Sequence, residues 1–301
     1  MNSGTVNLTS SMHGILWMLA SCMAASIMVV LVRHTSAHLP VVEIVFFRNA
    51  FALLFILPSA YRLRRKIIHS ARKGLHFLRA LCGVIAMYLW FYALTVIPLA
   101  TAVSLSFTVN LLTPVLAVLL LKEKYGIHRW TAIAVGFSGV LLILRPGLET
   151  FDANGLFAIA SVTFWAISAI LIKLLTRTEH PRVVAFYVAF LMTPFSLPAA
   201  IHDWVTPDLT ILLWLLLLGF VANFFQVALS HAIAAAEFRV IVPFDFTRLI
   251  FTAILAYFLF DEIPDQFTWL GGIIIIAASA YTAWREAMHS RRRKKMVELG
   301  E

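Results

Sequence analysis

Four charged side chains stand in stretches that are otherwise apolar: Arg48 in FFRNAFALLF, Arg79 in FLRALCGVIA, and Asp245 with Arg248 in DFTRLIFTAIL. A charge at the centre of a bilayer costs at least about 2.5 to 3.5 kcal/mol on insertion scales, so each is a functional candidate. Asp245 and Arg248 lie deepest, at an i, i+3 spacing that sets both on one helical face. There they either neutralise each other or meet a substrate, a ligand carboxylate on Arg248 and its amine on Asp245. Arg79 is close enough to a segment end to snorkel, and Arg48 has Glu43 one and a half turns away as an alternative ion-pair partner. Three arginines against one aspartate favour an anionic or zwitterionic solute.

Such charges need a scaffold, and composition defines it. Of the 301 residues 61% are hydrophobic, and the mean hydropathy is +0.89, beyond the range of soluble domains. Ten stretches are long enough to span a hydrocarbon core: Gly14 to Val32, Ile44 to Tyr61, Leu75 to Thr95, Leu99 to Leu121, Trp130 to Leu144, Gly155 to Ile172, Val183 to Ile201, Leu209 to Ala236, Phe238 to Phe260 and Phe267 to Trp284. Only helices satisfy the backbone within such segments, and no dyad alternation of a barrel is present, so an all-α membrane protein is expected. With the N-terminus inside, nineteen lysines and arginines fall on the cytoplasmic side and Arg33 and Arg145 on the outer side. Both termini are therefore expected in the cytoplasm of a bacterial cell, the protein sitting in its inner membrane. The N-terminus lacks a signal-peptide pattern, so the first apolar run is expected to stay as an anchor.

The net charge of +9 needs no nucleic acid, because these loops and the tail run RRRKK from Arg291 to Lys295 account for it. That run suits anionic lipid of the inner leaflet. Cys22 and Cys82 sit in apolar runs and read as small hydrophobes. His13 and His231 are isolated, and neither metal nor cofactor is expected.

A shift of 139 residues lays Val103, Phe107, Thr108, Thr113, Glu123 and Trp130 over Val242, Phe246, Thr247, Thr252, Glu262 and Trp269. The chain reads as a duplicated five-helix unit, residues 1–147 and 148–286 with a basic tail 287–301. Five being odd, the halves are inverted. Glu123 and Glu262 end apolar runs, where a carboxylate opposes its own helix dipole, so each is expected on the amides of the helix that follows. The overlay also lays Asp245 on Ser106 and Thr252 on Thr113, so one helix carries Ser106, Asn110 and Thr113 on a face and its counterpart carries Asp245, Arg248 and Thr252. Such stripes either hydrogen-bond helices together or line a mid-membrane site. Trp90, on a face with Arg79, Gly83 and Ala86, and Trp165, on a face with Ser161 and Ser168, are candidate walls, with aromatic packing as the alternative. Asn223, Gln226 and Ser230 share a further face.

The stretches PLATAVSLSFTVNLLTPVLAVLLLKEK and VPFDFTRLIFTAILAYFLFDEIPDQFTWLGG resemble the two repeat signatures of the EamA branch of the drug/metabolite transporter superfamily. FRNAFALLFILP, FLRALCGVIAMYLWFYAL and the closing WRE fit the same branch. The resemblance spans essentially the whole chain and implies ten helices in two inverted repeats. Asn110 departs from it, standing where the family usually carries proline. Within the branch the sequence is similar to rickettsial S-adenosylmethionine uptake carriers. The expected function is alternating-access transport of a small polar metabolite, amino-acid-like, zwitterionic or anionic, with S-adenosylmethionine uptake or exchange as the alternative. A membrane-embedded transferase would need convergent acid/base groups, and Asp261, Glu262 and Asp265 form the one acidic cluster, in a short loop. An enzyme is not expected. An assembly factor remains as a rival class, and a homodimer is compatible with the sequence.

Overall fold

The computed structural model describes residues 8–61, 72–122, 126–145, 153–175, 178–179, 181–235 and 244–298. All regular structure among them is helical. The helices are α1 (Leu8–Ser36), α2 (Val41–Tyr61), α3 (Lys73–Val96), α4 (Leu99–Ser106), α5 (Val109–Leu121), α6 (Ile127–Leu144), α7 (Gly155–Leu175), α8 (Pro181–His202), α9 (Leu209–Ala235), α10 (Thr247–Phe260) and α11 (Gln266–Glu298). Five spans, Met12–Ser36, Lys73–Val96, Leu99–Leu121, Gly155–Leu175 and Leu209–Ala232, are long and apolar enough to cross a membrane. Shorter apolar helices accompany them. Large apolar side chains such as Leu119, Leu209 and Phe258 are exposed on the bundle exterior, as expected where the surrounding solvent is lipid rather than water.

Two departures from the expected helices matter. The span from Leu99 to Leu121 is broken into α4 and α5, the turn running through Phe107 and Thr108 with i to i+3 hydrogen bonds such as Thr108 N–H to Leu105 O at 3.0 Å. The segment leading into α10 breaks similarly at Phe246, Leu249 N–H reaching Phe246 O at 3.1 Å. The two phenylalanine rings meet edge to face with centroids 5.0 Å apart. The last helix also runs beyond Trp284 to Glu298, so the basic run expected in a tail is carried on a helical extension.

α1 packs on α9 and α10, α3 on α7 and α8, α2 on α8 and α9, α5 on α7, and α6 on α11. The last contact is set by glycine. A Cβ at Gly139 would stand 2.7 Å from the carbonyl of Gly271, and one at Gly271 would stand 2.6 Å from the carbonyl of Gly139. Small residues thus let two backbones touch where a bilayer supplies no hydrophobic drive for helix association. α5 and α10 both end on a residue in the left-handed conformation, Lys122 at φ 55° and Asp261 at φ 53°, which closes the helix by the αL cap bond.

Candidate functional site

A cavity of about 300 Å³ lies among these helices, bounded by Met28 of α1, Arg48 of α2, Trp90 of α3, Ser106 of α4, Trp165 of α7 and Arg248 of α10, with further apolar neighbours. Residues far apart in sequence converge there because α3, α7 and α10 all contact the broken α4, and α1 packs on α3 and α10.

The two guanidiniums have few protein partners. Arg48 Nη1 donates to Oδ1 of the adjacent Asn49 at 3.0 Å, and its buried Nε meets no acceptor. Arg248, in the first turn of α10, donates from Nη2 to Ser106 Oγ at 3.3 Å and lies 4.8 Å from the centroid of the Phe107 ring; its Nε is likewise unpartnered. Ser106 can accept because its own hydroxyl proton goes to Val103 O, at 2.7 Å. Among the described residues no carboxylate lines the cavity. Like charges in a low-dielectric enclosure raise each other's energy, and an entering anion reverses that term.

An aromatic wall stands with them. The indoles of Trp90 and Trp165 are 5.3 Å apart at an interplanar angle of 52°. One turn earlier on each helix, Ser161 Oγ donates to Ala86 O at 2.8 Å and fixes α7 against α3. Ser161 and Ala86 thereby hold the two indoles in register.

Other expected site residues fall elsewhere. Asp245 does not line the cavity, and among the described residues no ion pair joins it to Arg248. An i, i+3 spacing shares a face only on an unbroken helix, and the chain turns at Phe246 between them. Asp245 is approached instead by Cys22 of α1, with Sγ 3.6 Å from its carbonyl oxygen and 3.8 Å from Oδ1. Thr252 is buried and donates to Ser26 Oγ at 3.0 Å; Ser26 in turn donates to Arg248 O at 3.1 Å, which ties α1 to α10. Thr113 bonds back to Val109 O at 2.7 Å on its own helix, and Asn110 is exposed. Arg79 lies outside the cavity, donating from Nη1 to Val184 O at 2.8 Å. Glu43 accepts from Val205 N–H at 2.5 Å and leaves Arg48 to the cavity.

Of the two helix-end carboxylates, only Glu262 is described; Glu123 lies outside the described residues. Glu262 does not bond α11, the helix that follows it; Asp265 does, accepting from Thr268 N–H at 2.7 Å. Asp265 also pairs with Arg145, whose guanidinium lies 4.1 Å from the Phe267 centroid. Glu262 reaches instead to α4, where Oε2 accepts from Leu99 N–H at 2.7 Å, while Oε1 pairs with Arg33 Nη1 at 2.8 Å. Arg33 donates further to the carbonyls of Leu94 and Ile97 at the end of α3. A carboxylate on free helix amides and a guanidinium on free helix carbonyls complement both dipoles. In the sequence Arg33 counts only toward orientation, and its place among the few outer positive charges is the signal that it has a partner there. At the opposite end of α3, His76 Nε2 lies 2.6 Å from Glu179 Oε2, and its ring stacks on Tyr187 with centroids 4.2 Å apart. Among the isolated histidines, His231 stacks on Trp17 at 4.9 Å.

Comparison with known proteins bears on what this arrangement serves. The EamA-like transporter family matches residues 12–145 and again residues 154–284. An S-adenosylmethionine uptake transporter of Rickettsia prowazekii is 32% identical over 93% of this chain and 95% of its own. A riboflavin transporter of Vibrio cholerae is 31% identical over 95% of this chain and 98% of its own. A pseudopaline exporter of Pseudomonas aeruginosa is 28% identical over 88% and 94%. A solved crystal structure shares the fold with a TM-score of 0.59, at 16% sequence identity, covering 92% of this chain and 98% of its own.

Proposed function

This chain belongs to the EamA-like transporter family, a multi-pass membrane carrier of small metabolites, and from that premise we propose that it is a secondary transporter whose substrate binds between Arg48 and Arg248. The observation that carries the site is that two guanidiniums with unpartnered Nε atoms border one cavity that no described carboxylate lines. A buried cation left short of partners is costly, and a solute carboxylate supplies charge-assisted hydrogen bonds to both.

The fold reading that goes with it is ten spans in two inverted repeats, residues 1–147 and 148–286. In support, the packing is unchanged in kind when the halves are exchanged. α1 on α9 becomes α7 on α3, α2 on α8 and α6 on α11 map onto themselves, and the breaks at Phe107 and Phe246 and the αL caps at Lys122 and Asp261 coincide at the 139-residue shift. Inverted repeats of this kind bind substrate beside discontinuous helices and move by rocking one repeat against the other. Both termini then face the cytoplasm, the basic end of α11 meets anionic lipid, and the Arg33–Glu262 end faces out.

S-adenosylmethionine is the second reading, favoured by the relative from Rickettsia prowazekii. Its carboxylate fits the arginines, whereas its sulfonium finds no carboxylate among the described lining residues. The test loads proteoliposomes with a bacterial metabolite extract and identifies by mass spectrometry the solutes that cross. At least one anionic or zwitterionic metabolite is expected to move with the wild type and not with Arg248→Gln. Equal movement with Arg48→Gln and Arg248→Gln together, or none with the wild type, rejects the reading.

A further inference from the structure

We infer that the cavity selects a flat aromatic or heteroaromatic ring that carries a carboxylate or phosphate, recognised by the ring and the anion together. The inference rests on the transport site proposed above and specifies its substrate class. It starts from the Trp90–Trp165 pair. Two indoles 5.3 Å apart and tilted by 52° cannot admit a ring between them, so they form one continuous wall on the cavity side. Indole faces are electron-rich and prefer offset or edge-on contact with another ring, beyond what area burial alone provides. Phe91 and Phe225 extend the apolar lining, and Met28 and Met87 supply adaptable thioethers that contact ring edges favourably.

The anion specification comes from the way Arg248 is held. Its guanidinium carbon lies over the Phe107 ring, 4.8 Å from the centroid, and Ser106 Oγ accepts from Nη2 at 3.3 Å. With one hydrogen bond to Ser106 and its Nε without an acceptor among the described residues, the guanidinium keeps most of its fork of donors, which matches the two oxygens of a carboxylate or phosphate. Arg48 enters the same cavity from α2, and among the described residues its one hydrogen-bond partner is Asn49. A cationic amine is repelled by both guanidiniums, and a saturated anion gains nothing specific from the indoles. A compound with both features satisfies the whole lining.

The test uses the full chain in detergent or nanodiscs and measures binding by thermal shift and tryptophan fluorescence with four matched probes: indole-3-acetate, indole-3-acetamide, tryptamine and cyclohexylacetate. A ligand of the native state stabilises in proportion to its occupancy, so ranking follows from midpoint shifts at equal concentration. Indole-3-acetate is expected to bind about tenfold more tightly than each of the others, the gain of roughly one charge-assisted interaction. Arg248→Gln should erase the preference for the acetate over the acetamide. Trp90→Phe, chosen because it keeps a ring in the core, should narrow the preference over cyclohexylacetate. Pyridoxine 5′-phosphate against pyridoxine then separates phosphate from carboxylate recognition. Equal binding of all four probes, or tighter binding of tryptamine or cyclohexylacetate, overturns the substrate class, as does absence of binding by indole-3-acetate at millimolar concentration. The transport site itself survives those results if metabolite movement in liposomes still depends on Arg248, which separates the two failures.

Discussion

Arg33 and Arg248 are both arginines in apolar helices, yet their surroundings are opposites. Arg33 donates to the Leu94 and Ile97 carbonyls, pairs with Glu262 and lies 5.9 Å from the Phe260 centroid. Arg248 has one long bond to Ser106 and the face of Phe107. The two sites are close along the chain: Ser106 is seven residues from Leu99, about 10 Å of helix at 1.5 Å per residue. A saturated guanidinium is a structural clasp that joins α1, α3, α4 and the end of α10. An unsaturated one, a few turns away in a cavity, has capacity left for a ligand. How many donors are already used, more than burial or depth, separates the two roles.

That contrast breaks most visibly in transport. Arg248→Gln is expected to lower kcat/KM by about a hundredfold, since hydrogen bonds to charged groups contribute about 1.5 to 3 kcal/mol each, while the melting midpoint in detergent stays at or above that of the wild type. A large fall in midpoint with transport per folded molecule preserved would make Arg248 a clasp like Arg33.

The reverse pattern is expected at the clasp. Arg33→Ala strands Glu262 and two helix carbonyls and should cost about 2 kcal/mol of stability, less than the roughly 3 to 5 kcal/mol of a fully buried pair because this one is only partly buried. Unfolding in detergent and yield of monodisperse protein are the readouts, and transport per folded molecule should remain within a few-fold of wild type. Glu262→Gln should follow in the same direction with a smaller loss, because an amide oxygen still accepts from Leu99.

Thr252→Val sharpens the boundary between the regions. It removes the bond to Ser26 that ties α1 to α10, and interhelical bonds of this kind contribute about 0.6 kcal/mol on average within membranes. A small midpoint drop with near-normal transport is expected. Loss of transport alone would bring Thr252 into the site.

The smallest effects belong to residues that the polar stripes implicated and the cavity leaves out. Asn110→Ala, at an exposed position, should alter neither stability nor transport beyond measurement error. Asp245→Asn should leave transport within about fivefold, because no described ion pair joins it to Arg248 and a lost charge interaction of this kind contributes at most about 1 kcal/mol. Abolished uptake in Asp245→Asn liposomes would restore the Asp245–Arg248 partnership.

Much was legible in the chain alone. Apolar length, together with the requirement that each segment satisfy its own backbone, dictates helices, and the cost of a charge in lipid marks Arg48, Arg79, Asp245 and Arg248 alike without any coordinates. Trp90, Trp165 and Ser106 were reachable too, through helical periodicity and the 139-residue overlay. Which of the marked charges share a cavity was not legible, because periodicity gives a residue's face on its own helix and says nothing of the helix opposite. The turn at Phe246 separates Asp245 from Arg248, a break that i, i+3 counting assumes away. Glu262 finds its partners 163 and 229 positions away, at Leu99 and Arg33. The carboxylate was recognisable from sequence as a helix cap, since its own helix dipole repels it. Only packing could decide which helix it caps, because that depends on which free amides the bundle brings within 3 Å.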